Sequence, residues 1–301
     1  MRALAEFIMR GRWQASVVAL LGNLLPLVSP ATVGLVTLRH SLQEGLLVAL
    51  WAALPLVVML YLSDVNPLLA VTSLIGLVAV IPASETLRRA MSWPLALMVS
   101  LAVSAGGCVL AGLLAGPQLE LLLTDLQQVL VALKSGDSDG PQSVFYLLMA
   151  ATAVGLGLEQ VSAAFVLGFL SWLVAMQAVA TLLLARWWQA LLYNPGGFRA
   201  EFHGLRFDRA LATGLVVGIM ACNLGSSDYS TWVSLLGVPL LLAGLGLVHH
   251  VVQFWHLGVQ WLVLLYIGLL VFGPLSMVLI GIGFLDSFFD FRARIPARKG
   301  K

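Results

Sequence analysis

VFYLLMAATAVGLGLEQVSAAFVLGFLSWLVAMQAVATLLLA (Val144–Ala185) decides the fold class of this chain. It is apolar over 42 positions, with Glu159 as its only charged residue. A single helix of that length rises about 63 Å, at ~1.5 Å per residue, roughly twice a bilayer's hydrocarbon thickness. The run must therefore break, and Gly155-Leu156-Gly157 is the expected place. Residues 161–185 then cross a membrane, and 144–158 form a re-entrant or interfacial piece.

The rest of the chain carries the same signature. Of its 301 residues 60% are hydrophobic and 10% are charged, against roughly 25% charged in soluble domains. Mean hydropathy is +0.98. Apolar residues come in long runs and do not alternate, which argues against a β-barrel. The expected fold is all-α: a polytopic integral membrane bundle of about 8–10 apolar segments forming one membrane domain over 1–301. Two segments are hairpins broken by proline, at Ser29-Pro30 and Gly273-Pro274.

Around the decisive run the chain divides as follows. Residues 1–12 form an amphipathic start, and 13–28 a first apolar segment that runs back over 31–38. Arg2, Arg10 and Arg12 before an apolar stretch resemble a signal peptide, but Asn23 and Pro26 interrupt it, and an uncleaved first helix is the better reading. Segments 46–62 and 68–84 flank a Ser63–Pro67 turn. Glu85–Arg89 reads as a polar loop, and 95–115 spans again. In 117–143, Leu119, Leu122, Leu126, Leu130 and Leu133 recur at helical spacing among polar residues. This predicts an outer interfacial helix and loop. After 210–226 come the Asn223–Ser230 loop, 231–252, a turn over Gln253–Leu257, 258–288 and a basic tail, 289–301.

Charge placement sets the expected orientation. With both proline breaks taken as hairpins and both termini cytoplasmic, fifteen of the sixteen Lys and Arg residues fall on the cytoplasmic side, as the positive-inside rule requires.

Residues 186–209, RWWQALLYNPGGFRAEFHGLRFDR, form the longest polar interruption and are expected to be a cytoplasmic loop. Asn194-Pro195-Gly196-Gly197 is a strong turn signal, in which Gly196 or Gly197 takes a positive φ. Trp187 and Trp188 suit a membrane interface. If 198–206 is helical, Phe198, Phe202 and Leu205 share one face, and Arg199, His203 and Arg206 the other. That makes the stretch a candidate contact surface for a lipid headgroup, a phosphate or a partner protein.

Other candidates are single residues. An intramembrane carboxylate such as Glu159 is a functional hypothesis by default; the alternative is that it marks the end of the re-entrant piece near the outer interface. With Asn23 and Asn223 it is expected to line an outward polar cavity for a small-molecule ligand, and Asp64 and Asn66 are further lining candidates. His249, His250 and His256 lack the nearby thiols or carboxylates that zinc favours and read as interface histidines. Asp286 and Asp290 before Arg292 read as local salt bridges. Cys108 and Cys222 have neither CxxC nor metal spacing. Walker, Rossmann, nucleophile-elbow and HExxH patterns are absent. The expectation is no enzyme, no cofactor and no nucleic-acid partner.

Residues 186–199, together with Gly283–Arg292 and Met1–Arg12, resemble the YybS-like bacterial membrane family (domain of unknown function 2232) in its proteobacterial branch. The resemblance implies a multi-pass inner-membrane protein and supplies no catalytic residues. That family is distantly similar to the substrate-capture subunits of energy-coupling-factor vitamin transporters. Those meet a coupling subunit through small-residue pairs on the first helix, a pattern Ala15-x3-Ala19 matches. More segments than the six usual there set this chain apart. Two functions follow as expectations: a binding or transport subunit for a small solute or lipid precursor, and a non-catalytic assembly partner docking through 186–209.

Overall fold

The structure is a computed structural model that describes residues 1–25, 27–62, 66–135 and 144–294. The expected turn residue Asp64, the loop after Ser135 and the basic residues Arg298, Lys299 and Lys301 lie outside these. Among the described residues all regular structure is helical: α1 (Arg2–Ile8), α2 (Arg12–Leu21), α3 (Val28–Arg39), α4 (Leu42–Leu62), α5 (Pro67–Ala90), α6 (Trp93–Leu114), α7 (Gly116–Ser135), α8 (Val144–Gly155), α9 (Ala163–Tyr193), α10 (Gly197–His203), α11 (Arg209–Leu224), α12 (Ser230–Phe254), α13 (Gln260–Val271), α14 (Pro274–Phe289) and α15 (Phe291–Arg294). Short 3-10 turns occupy 22–24 and 227–229.

Among the described residues five helical segments are long and apolar enough to cross a bilayer: Leu42–Leu62, Pro67–Ala90, Trp93–Leu114, Ala163–Tyr193 and Ser227–Phe254. A sixth is the pair α13 and α14 if taken as one span, but the two are bent by 119° at Phe272-Gly273. The apolar windows differ in surroundings. That of α4 is 22% buried within the protein and that of α9 61%, so α9 is a central helix and α4 leaves most of its surface for lipid.

Contacts divide the chain into two compact units where the sequence suggests one domain. Unit 1 comprises 1–189 and 220–235, and unit 2 comprises 190–219 and 236–301.

Prolines open helices here more than they break them. Pro67, Pro94 and Pro274 sit in the first two positions of α5, α6 and α14, and Pro30 sits in the first turn of α3. A first-turn residue has no intrahelical use for its N–H, so proline's lack of one costs nothing. The first break therefore does not lie at Ser29-Pro30: α2 ends at Leu21, short of the expected Val28, and Ser29 and Pro30 are already inside α3. The backbone turns at Leu27, with φ 69°.

Side chains cover carbonyls at that break and tie it to α4. Asn23 Nδ2 donates to the carbonyls of Ala19 (3.1 Å), Leu20 (3.3 Å) and Ala52 (3.1 Å), and Ser29 Oγ donates to Ala19 O at 2.6 Å. Such cover is what irregular backbone needs at membrane depth. Ten of the twelve residues of α3 are buried, so this helix, too short to span alone, is enclosed by the rest of unit 1. Ala15 and Ala19 are 2% and 0% exposed. The small-residue pair of α2 thus faces its own unit.

Two further expectations are corrected. Glu85–Arg89 is the last turn of α5, not a loop; Glu85 is buried and accepts from Arg88 Nη2 at 2.7 Å and from Arg89. Residues 186–193 continue α9, and Trp188 is 0% exposed, packed inside the protein and not in an aromatic belt. In α7 the leucine face is covered by protein. Leu122, Leu126 and Leu130 join Met149 and Ala153 of α8 and Phe165 and Phe169 of α9 in one buried cluster.

Candidate functional site

The polar segment after α9 builds its site within unit 2. The Asn194-Pro195-Gly196 turn is exposed, and Gly196 takes φ 87° as the N-cap of α10. Gly197 N donates to Asn194 O at 2.9 Å. Gly197 is thus a helical residue, and Gly196 alone supplies the left-handed backbone of this turn. Phe198 and Phe202 stack with centroids 6.1 Å apart. Arg199 is exposed.

Past α10 the chain runs without regular structure. Leu205 and Phe207 are 3% and 1% exposed, and Arg206 between them points out to Asp290, with Nη1 to Oδ2 at 2.5 Å. This in-out-in alternation pins the segment. The Arg206 guanidinium holds the Asp290 carboxyl below the usual carboxylate range. Arg206 is therefore committed to a structural partner and is separate from the Arg199–His203 face.

Arg292 is the residue that organises this region. Its Nε donates to His203 O at 2.7 Å and its Nη2 to Leu205 O at 2.8 Å. Nη2 also reaches Ala243 O of α12 at 3.5 Å. Nη1 pairs with Asp286 of α14, whose other oxygen accepts from Phe291 N at 2.9 Å. Asp290, with φ 48°, makes the turn that brings Arg292 back; aspartate tolerates this conformation better than most residues. A cation over the last carbonyls of a helix is favourable in both hydrogen bonding and dipole. Sequence spacing suggests local pairing for Arg292, yet its carbonyl partners lie 49 to 89 positions away. Only the aspartates just before it signal anything.

The same corner gathers the histidines. A β-carbon on Gly246 would stand 2.5 Å from Phe202 O, so this glycine lets the end of α10 lie directly on α12. His203 then meets His249 and His250, with ring centroids 6.0 and 6.3 Å away. His249 Nε2 and Tyr266 Oη are 2.9 Å apart, and His250 stacks on Phe254 at 5.8 Å. Burial first, then the positive field of the two α12 histidines, Arg199 and Arg292, pushes His203 down to about 4. It is neutral at pH 7.

Between these groups lies an open cavity of about 650 Å³, lined by Ala200, His203, Gly204, His250, Gln253, Phe254, His256 and Arg292. Imidazoles and an amide offer both donors and acceptors there, beside one phenyl face. Among the described residues no group of three His, Cys, Asp or Glu side chains is placed to hold a metal ion. The cavity is suited to binding and contains no nucleophile–base pair.

The other predicted residues lie in unit 1. Glu159 sits on the exposed turn between α8 and α9. That turn is fixed by its backbone: Gln127 of α7 accepts from Val161 N at 3.0 Å and donates to Glu159 O at 3.4 Å. Asn23 spends its amide on carbonyls, as described above. Asn223 is an exposed residue in the last turn of α11. Asn66 caps α5 through Leu68 N and donates to Gln118 O, both at 2.9 Å. A cavity beside this turn is lined by Gln127, Gln128, Gln160 and Thr124, and neither Asn23 nor Asn223 lines it. Sequence reasoning missed Gln253, His250 and His256 as lining residues of the unit 2 cavity, because α12 and α10 are far apart along the chain.

No protein-family model, curated protein or solved structure matches this chain.

Proposed function

We propose that this chain is a non-catalytic, multi-pass protein of a bacterial inner membrane, with both termini cytoplasmic, and that it binds a small polar solute or the polar head of a lipid-like precursor. On this reading it is a binding or transport subunit, and membership of the YybS-like family is part of the same proposal. The observation that carries it is the cavity of about 650 Å³ lined by His203, His250, Gln253 and His256 together with Phe254. Pockets of ~300–1,000 Å³ with a few convergent polar groups are the usual form of small-ligand sites. His203, held neutral, offers its ring without the desolvation cost of a charge. A second reading, docking of a partner protein, is favoured by the exposed Asn194–Gly196 turn and Arg199.

Native mass spectrometry of the detergent-purified chain separates the two. A small-molecule adduct on the wild type that is lost from His250→Ala and His203→Ala is the expected result. A retained protein subunit that is lost on Arg199→Ala favours docking. A wild type without an adduct, even after incubation with inner-membrane lipid extract, counts against the binding reading.

A further inference from the structure

A second cavity, in unit 1, is built from the opposite end of the chain. It holds about 330 Å³ and is lined by Ile8, Met9, Arg10, Gly11, Arg12, Ala15, Val36, His40, Glu44 and Val48. Four helices meet there: α1 and α2 at their elbow, the C-terminal end of α3 and the first turn of α4. Its floor is apolar and closed, since Ile8, Ala15, Val36 and Val48 are each no more than 5% exposed.

Its rim is basic. Arg12 binds Glu44 through two hydrogen bonds, one of them from Nε at 2.7 Å, so the one carboxylate of the rim is already neutralised. Arg10 and His40 remain exposed, Arg10 with its guanidinium 5.9 Å from the Phe7 ring centroid. A cationic rim over a sealed apolar floor is complementary to a molecule with an anionic head and an apolar continuation. The depth fits as well. The cavity lies at the N-terminal end of α4, one of the helices apolar enough to span, where Gln43 and Glu44 in its first turn follow Arg39 and His40 at the end of α3. Trp13, Leu46 and Leu47, close by in sequence, are 70%, 46% and 50% exposed. A Trp at such a level is the usual mark of the headgroup region.

We propose that this corner is a binding site for a phosphate-bearing anion, with Arg10 and His40 on the phosphate and the apolar part over Ile8, Ala15, Val36 and Val48. The chemistry is shared by an anionic phospholipid head and by free phosphate, and the test distinguishes them. The site is independent of the cavity in unit 2.

The full chain in a neutral detergent is titrated with dioctanoylphosphatidylglycerol, with dioctanoylphosphatidylcholine and with inorganic phosphate, and binding is read by native mass spectrometry and calorimetry. The wild type is expected to prefer the glycerol lipid. Arg10→Gln is expected to weaken it about fivefold, the equivalent of roughly one basic group at a membrane surface, and His40→Ala to weaken it by less, through loss of an imidazole N–H donor; Arg10→Lys retains most of the affinity. Both variants leave the Arg12–Glu44 pair in place, and thermal unfolding checks that they fold. Glu44→Gln frees Arg12 and is expected to strengthen binding. Lipid binding without phosphate binding assigns the site to a headgroup, and phosphate binding of equal strength assigns it to the free anion. Equal affinity of the wild type and the Arg10 and His40 variants for the glycerol lipid, or no preference over phosphatidylcholine, overturns the proposal.

Discussion

Helix α3 and the bent pair α13–α14 start from the same sequence signal and end in opposite surroundings. Each is an apolar run interrupted near a proline, too short on one side to span. Yet ten of the twelve residues of α3 are buried, whereas none of the twelve residues of α13 is. Leu270 and Val271 are 89% and 82% exposed. The difference lies in side-chain size. α3 carries Ser29, Ala31, Thr32 and Gly34, which let neighbouring helices approach closely, while α13 presents Trp261, Leu264, Tyr266, Ile267 and Leu270. In lipid there is no hydrophobic drive to hide large apolar residues, and close packing of small ones is what holds helices together.

The comparison also shows what replaces enclosure. α14 is held to its unit by close backbone contact and by charge. A β-carbon on Gly283 would stand 2.2 Å from Leu240 O, and Asp286 and Arg292 form a buried ion pair, with side chains 0% and 12% exposed.

The sharpest way to break the contrast is to remove the Asp286–Arg292 pair by halves. Arg292→Gln leaves a buried carboxylate without its cation and is expected to cost about 3–5 kcal/mol, read as a lower unfolding midpoint in detergent. Adding Asp286→Asn to it is expected to restore much of the loss. If the single variant unfolds like the wild type, α14 is held by packing alone.

The next largest effect tests α3. In Gly34→Leu the new β-carbon would meet Ala185 Cβ at 3.0 Å and Ser84 Oγ at 3.2 Å. Overpacking of this kind costs about 1–3 kcal/mol, seen in the same melt. Wild-type stability would show that α3 is not tightly enclosed.

The smallest effect is expected at the exposed helix. Leu270→Ala removes bulk that touches little of the protein, and its change in midpoint should correspond to less than about 0.5 kcal/mol. A loss of 2 kcal/mol or more, on the scale of core truncations, would mean that α13 is covered.

Much of the architecture is legible residue by residue. The break at Gly155–Gly157 follows from run length, and Gly157 does turn the chain, with φ 70°. The face of Leu122, Leu126 and Leu130 follows from 3.6-residue spacing, because side chains four apart lie on one side of a helix. The site is less legible. His203 and the Asn194–Gly196 turn stand out as a polar interruption. Their partners, His250, Gln253 and Arg292, lie 47 to 89 positions beyond His203; they stand out as an interface histidine, a turn residue and a local salt-bridge cation, and no spacing joins them to α10. Glu159 illustrates both sides: a carboxylate in an apolar run signals either a functional group or the end of the re-entrant piece, and the structure puts it on the exposed seven-residue turn between α8 and α9, as the second reading expects.

Composition and run length by themselves determine that this is a helical protein with several segments able to cross a bilayer, since no soluble fold can bury so much apolar surface. Which short helix is enclosed, which tryptophan is packed inside, and which cation ties α10, α12 and α14 together are decided only by the tertiary structure. Hydropathy cannot distinguish a neighbouring helix from a lipid chain; the fit of small residues and the pairing of distant charges can.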